Sequence, residues 1–263
     1  MITFAAAFAH GDLHVQIERV TAQITREPAS AELHLNRAGL YRLHEEWQAA
    51  AADYDKAERL APDLSAVHLG RGEMLYATGR LEEAGNELDR FLKINPRHVE
   101  ALILRGRIEA GRANPLAAAG AFSEAIAQAK RPEPEWYIEQ ARALMAAGSE
   151  HHGDEAIAAL ERGMEVLGNL PVLGLYAIEI ETARSRFDSA LGRLEKLSAS
   201  ARRQEHWLER RGDLLAKAGR HQEATRTYHA AIKAIADLPV HLRSTKAVSE
   251  LENRLIKKSG TAF

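Results

Sequence analysis

The sequence predicts an all-α fold, a solenoid of about six helical hairpins with capping helices at both ends. Three observations lead there. Between Ser30 and about Lys130 the chain repeats itself every 34 residues: Arg37, Arg71 and Arg105 are in phase, as are Ala50, Ala84 and Ala118, and Pro28, Pro62 and Pro96. A fixed period of this size marks stacked supersecondary units, each unable to bury its apolar face alone. Within a period the apolar residues recur at spacings of three and four, the signature of one helix face. The composition fits, with 46% apolar residues and only 8 prolines in 263 residues, and no apolar run approaches the ~18 residues needed to span a bilayer.

The first eleven residues are apolar through Ala9 and end in the small-x-small pattern Ala7-Phe8-Ala9, with polar sequence from His10 onward. Two readings stay open. Residues 1–11 are either the remnant of a bacterial export signal lacking its charged start, which places the protein in the periplasm or outside the cell, or an apolar segment packed on the first helix of a cytoplasmic protein. Residues 12–27 follow as a helix with Leu13, Ile17, Val20 and Ile24 on one face, Asp12 as N-cap and Pro28 just beyond its end. Because Pro28 shares the phase of Pro62 and Pro96, this helix is the second half of a hairpin and caps the array.

Residues 30–130 hold three regular hairpins. In the first, Leu33, Leu35, Ala38, Tyr41 and Leu43 form one helix, His44-Glu45-Glu46 the turn, and Trp47, Ala50, Tyr54, Ala57 and Leu60 the second helix. Pro62 stops it, since the residue before a proline is pushed out of the helical region. The small residues Ala38, Gly72 and Gly106 face Ala50, Ala84 and Ala118 and let two helix backbones approach closely, with a bulky residue filling the space beside them.

This arrangement resembles the tetratricopeptide repeat, in which a large residue stands fourth, a small one eighth, a bulky one eleventh, Ala twentieth, an aromatic twenty-fourth, Ala twenty-seventh and Pro thirty-second. The first copy has His34, Ala38, Tyr41, Ala50, Tyr54, Ala57 and Pro62, and the second His68, Gly72, Leu75, Ala84, Leu88, Phe91 and Pro96. The third has Leu102, Gly106, Glu109, Ala118, Phe122 and Ala125, its proline displaced to Pro132. The resemblance implies a right-handed α-α superhelix and a non-catalytic scaffold for protein-protein interaction.

Residues 131–238 hold three less regular copies. In the fourth, Ala141 to Ala156 is three residues longer than Ala38 to Ala50, which predicts a longer turn over Gly148–Asp154. The fifth, about residues 171–200, keeps Leu173, Ala190, Leu194 and Leu197 but slips by one between its helices. The sixth returns to form with Leu208, Gly212, Leu215, Ala224, Tyr228 and Ala231. Residues 240–258 are read as a C-terminal capping helix with Val248, Leu251 and Leu255 on one face and Lys257-Lys258 near the negative end of its dipole.

By resemblance, the partner lies in a concave groove lined by the first helix of each repeat at its second, fifth, ninth and twelfth residues. Carried over, these include Leu35, Leu69, Ile103 and Ile138, with Gly39, Arg42, Glu73, Tyr76, Ala110, Arg107, Arg142 and Met145. Arg42, Glu73, Tyr76, Arg107, Arg142 and Met145 are the candidate partner-binding residues, Tyr, Arg and Met being enriched at the centres of binding patches. A subclass of the family grips C-terminal carboxylates through Lys and Asn at the fifth and ninth residues of its first repeat. Leu35 and Gly39 stand there, so that mode is not expected. Arg37, Arg71, Arg105 and Arg211 recur at one place, either as an arginine ladder for anionic ligands or, as their position at the helix contact favours, as stems laid on the neighbouring repeat.

Enzymatic activity is not expected: no nucleophile elbow, phosphate loop, HExxH or dinucleotide turn occurs, and Gly70-Arg71-Gly72 lies within a predicted helix. A net charge of −2 supplies no basic field for nucleic acid, and the absence of cysteine removes disulfides and thiolate metal sites. No cofactor is implied. An alternative function is extracytoplasmic metal handling through His10 and His14, and His151, His152 and Asp154 form a second, weaker group of imidazole and carboxylate ligands. Weak self-association through the solenoid ends is a further expectation. The partner protein or peptide itself is not identified by any motif.

Overall fold

The computed structural model describes residues 4–199 and 201–260, with side chains from Asp12 onward. Among the described residues there are fifteen helices and no strand, and the chain falls into two compact units that meet in sequence between Arg131 and Pro132.

In the first unit α1 (Phe4–Arg26) is followed by three helical hairpins, α2 (Ala31–Leu43) with α3 (Trp47–Leu60), α4 (Ala66–Ala77) with α5 (Leu81–Ile94), and α6 (Val99–Gly111) with α7 (Pro115–Gln128). The helix read as starting at Asp12 begins at Phe4, so Asp12 lies inside it and does not cap it. Ile17 and Val20 of α1 are buried with Leu40 of α2, and Leu13, Ile24, Leu33 and Tyr41 pack around them, so α1 plays the part of a second helix for the first hairpin. Ser30 caps α2 by accepting from the Leu33 amide, and His98 caps α6 through Nδ1, which accepts from the Ala101 amide. Ala38, Ala50, Ala84 and Ala118 are fully buried, as are Tyr54, Leu88 and Phe122 beside them to within 1%.

In the second unit the hairpins are α8 (Pro134–Ala146) with α9 (Glu150–Leu167), α10 (Pro171–Ala183) with α11 (Phe187–Ser198), and α12 (Glu205–Lys217) with α13 (His221–Ala236), followed by α14 (Val240–Arg243) and α15 (Lys246–Ser259). The insertion placed in a turn over Gly148–Asp154 lengthens α9 instead. Ser149 accepts from the His152 amide and starts the helix at Glu150, so His151, His152 and Asp154 lie in helix. The slip read in the fifth hairpin is also absent from the helix boundaries, because Pro171 to Phe187 matches Ala31 to Trp47. Only the side chains shift, Ile178 standing where the other hairpins carry Ala or Gly. The C-terminal cap comes as two helices; Val248, Leu251 and Leu255 of α15 are buried in one cluster with Tyr228, Ala231 and Ile235 of α13.

All six hairpins turn the same way. The residue immediately after each first-helix C-cap sits in the left-handed region: Glu45 (φ 61°), Gly79 (75°), Ala113 (59°), Gly148 (78°), Ser185 (57°) and Gly219 (75°). Three of these are glycines, for which the conformation is free of Cβ strain, and three are not.

Candidate partner-binding site

The recurring arginines find their partners inside the chain. Arg37 donates through Nη1 to Thr21 Oγ1 at 3.1 Å and Arg71 through Nη2 to Asp55 at 3.0 Å, while Arg105 lies 3.4 Å from Asp89 and Arg211 3.8 Å from Glu195. In every case the partner is sixteen residues back, on the second helix of the preceding hairpin. The ladder is an inter-repeat tie. In the first two hairpins it extends inward: Arg37 grips Asp53 through Nε (2.6 Å) and Nη2 (2.8 Å), and His34 Nδ1 lies 2.9 Å from the same carboxylate. Donating to the Asp53 carboxylate raises the Arg37 pKa. His68 repeats the contact with Glu87 at 2.7 Å. His34 and His68 therefore fill the bulky fourth place while pairing with a buried or half-buried acid.

On the first-helix face of the first unit, Arg42 reaches across from α2 to Glu73 of α4 at 2.9 Å. These two candidate residues neutralise each other, and burial raises the pKa of the Tyr54 phenol. Arg42 Nε is buried without a hydrogen-bond partner. Tyr76 is half-buried on α4, Leu35 and Leu69 are half-buried, and Ile103 is buried. Beside Arg42 the surface over Gly39 is open, with no atom within 4 Å of where a Cβ would sit. Arg107 is half-buried on α6.

Arg142 and Met145 belong to the second unit. Arg142 lies over the Tyr176 ring at 5.6 Å, a cation–π contact that joins α8 to α10, and Glu135 is 3.6 Å away. Burial raises the pKa of the Tyr176 phenol. Met145 is half-buried and Ile138 buried.

One concavity of the second unit lies where residue pattern alone does not lead. A cleft of about 620 Å³ between α10 and α12 has an apolar lining of Leu175, Ile178 and Leu214, joined by Phe187 and Leu194 of α11. Glu179 and Thr182 stand on its α10 side and Arg210, Asp213 and Lys217 on its α12 side. Leu175, Glu179 and Thr182 are the fifth, ninth and twelfth residues of their helix, and Asp213 is the ninth of α12. Ile178 in place of a small residue hides that register in the sequence; the helix boundaries restore it. Asp213 is already engaged: Tyr228 donates its hydroxyl at 2.9 Å and Lys258 Nζ lies at 2.8 Å. Burial and the neighbouring Asp213 raise the Tyr228 pKa.

The histidine-rich turn of α9 is engaged as well. His152 Nδ1 lies 2.8 Å from Ser149 Oγ, and Asp154 accepts from Arg184 at 2.7 Å and from Arg186. Hydrogen bonds from Arg184 and Arg186 hold the Asp154 carboxyl down to about 2. No group of three or more metal-ligating side chains occurs among the described residues; the His10 side chain lies outside them. Among those residues no helix is long and apolar enough to cross a membrane.

No protein-family model matches the sequence, and no curated protein matches it. Solved structures do match the fold. The C-terminal part of a TPR repeat-containing protein from Cytophaga hutchinsonii superposes with a TM-score of 0.69 at 16% identity, covering 94% of this chain and 98% of that one. A tetratricopeptide repeat protein from Parabacteroides merdae gives 0.55 at 18% identity over 95% and 93%. A chain of the Naa15/Naa10 assembly bound to HypK-THB gives 0.58 at 14% over 97% and 39%. The chain has the helical-hairpin fold of the tetratricopeptide repeat proteins.

Proposed function

We propose that this chain is a non-catalytic scaffold that holds a segment of a partner protein against the faces lined by the first helices of its hairpins. The observation that carries the reading is the apolar cleft between α10 and α12, placed at the same helix positions as the candidate residues Tyr76, Arg107, Arg142 and Met145. Arg42 and Glu73 enter as a pre-set pair at the edge of that surface in the first unit. The fold supports the same reading, since the matched Naa15/Naa10 assembly is a complex of several proteins. In a titration against the partner co-purified from the source cell, Tyr76→Ala with Arg107→Ala is expected to lower affinity by about 2 kcal/mol or more. Charge reversals on the second helices, Lys93→Glu and Glu124→Lys, are expected to leave it unchanged. The opposite pattern would place the ligand on the other side of the hairpins and sink the proposal.

We also place the protein outside the cytoplasm of a bacterium, on the strength of Ala7-Phe8-Ala9 ahead of polar His10. Amino-terminal sequencing of protein from the source cell is expected to start at His10, and an intact amino terminus in the cytosolic fraction refutes this. A second reading, metal handling, draws on His10 and His14 being four residues apart within α1, a spacing that puts two residues on one helix face. Submicromolar metal binding that is lost in His14→Ala would favour it over the scaffold alone.

A further inference from the structure

We propose that the cleft between α10 and α12 takes an acidic amphipathic segment, one large apolar side chain seated in the cleft and two carboxylates on its α12 side. This rests on the scaffold reading above and names the chemistry of the segment. The apolar part follows from the lining, Leu175, Ile178, Leu194 and Leu214, and from a volume of about 620 Å³, within the ~300–1,000 Å³ typical of ligand sites. The charge follows from which groups remain unpaired. Asp213 is neutralised by Lys258 and by the Tyr228 hydroxyl. Arg210 and Lys217 are both exposed and neither is paired with a carboxylate among the described residues. The α12 rim therefore presents two free cations, and the α10 rim one carboxylate, Glu179.

Spacing sharpens this. Arg210 and Lys217 are seven residues apart on one helix, two turns, or about 10.5 Å along its axis. An extended segment spans that distance in about three residues at 3.3 Å each, and a helical one in seven. Side chains of an extended segment alternate between its two faces, so the matching segment carries acidic residues two or four apart if extended, about 6.6 or 13 Å, or seven apart if helical, with the apolar anchor between them and no acid turned toward Glu179. A basic segment would meet two like charges.

The test uses the full chain and a random twelve-residue peptide library displayed on phage. Selected peptides are expected to carry a Leu, Ile, Phe or Trp flanked by Asp or Glu at one of those spacings. By fluorescence anisotropy, a selected peptide is expected to bind Arg210→Glu with Lys217→Glu at least tenfold more weakly, and Arg210→Gln with Lys217→Gln by an intermediate factor. Both variants are first checked for unchanged helical circular dichroism, since both positions are solvent-exposed. Selected peptides without acidic bias that still compete with one another and are lost on Leu175→Asp overturn the charge inference and leave the scaffold reading standing. Peptides that respond to Tyr76→Ala and not to the Arg210 and Lys217 variants do the same. A library that yields no binder at all overturns both.

Discussion

The chain carries an internal experiment on backbone approach, because Gly72 and Gly106 hold the same place in successive hairpins with different neighbours. A Cβ added at Gly106 would lie 2.7 Å from Phe122 Cε1 and 2.8 Å from Cδ1 and Cζ, and the Phe122 ring is only 1% exposed. At Gly72, where the neighbour is Leu88, the nearest atom would be the Ala84 carbonyl oxygen at 3.5 Å, an ordinary contact. Replacing glycine by alanine inside a helix gains about 0.8–1.0 kcal/mol of propensity, while overpacking a buried site costs about 1–3 kcal/mol. Gly72→Ala is therefore expected to stabilise by about 1 kcal/mol, and Gly106→Ala to be neutral or to destabilise by up to about 2 kcal/mol. Urea unfolding followed by circular dichroism measures both. A cross-check is Phe122→Leu, which makes the third hairpin resemble the second. It costs stability alone, yet the Gly106→Ala, Phe122→Leu pair should cost less than the sum of its parts. Equal midpoint shifts for the two glycine variants, or simple additivity in the pair, would refute the claim that ring contact sets the residue at this place.

Two further outcomes follow from the ion pairs. Arg71 is 13% exposed and tied to Asp55, Glu58 and Glu87, whereas Arg105 is 44% exposed with one carboxylate at 3.4 Å; Arg71→Ala should cost about 1–3 kcal/mol by removing the mostly buried cation shared by these three carboxylates, Glu87 keeping only His68 and Arg90, and Arg105→Ala under about 0.5 kcal/mol, compared by urea midpoints. The Asp154 carboxyl is held at about 2 against an ordinary value of 3.8, a depressed folded value, so its contribution is present above about 3.8 and lost as pH falls toward 2. The stability gap between wild type and Asp154→Asn should close over that window, and a gap that persists unchanged at pH 2 would refute the pairing.

The fold was legible because close helix contact leaves a mark in residue size. Ala38, Gly72, Gly106 and Gly212, set against Ala50, Ala84, Ala118 and Ala224, are small for one geometric reason repeated four times, and Pro28, Pro62 and Pro96 punctuate it. The site was less legible because groove residues face outward and obey no packing rule. Arg42 and Glu73 share the expected surface but spend their charge on each other. The α10–α12 cleft stayed hidden because the fifth hairpin replaces the small residue with Ile178 and buries Glu181 (4% exposed) against Arg193 at 2.9 Å. The register of side-chain sizes breaks there, while the helix lengths do not. The inter-repeat ties, by contrast, were readable in principle: acids at Asp55, Asp89 and Glu195 recur sixteen places before Arg71, Arg105 and Arg211.

The shared left-handed turn offers a way to redesign the protein that touches neither face of any helix. Glu45, Ala113 and Ser185 hold the conformation that Gly79, Gly148 and Gly219 adopt freely. A side chain there carries a Cβ penalty of roughly 1–2 kcal/mol, against the ~0.4–1 kcal/mol of extra unfolded-chain entropy that glycine brings. Each replacement by glycine is thus worth between nothing and about 1.6 kcal/mol. The three turns belong to three different hairpins and share no partner, so their gains should add. A stabilised parent of this kind would tolerate the costlier substitutions needed to recast the α10–α12 cleft for a chosen peptide.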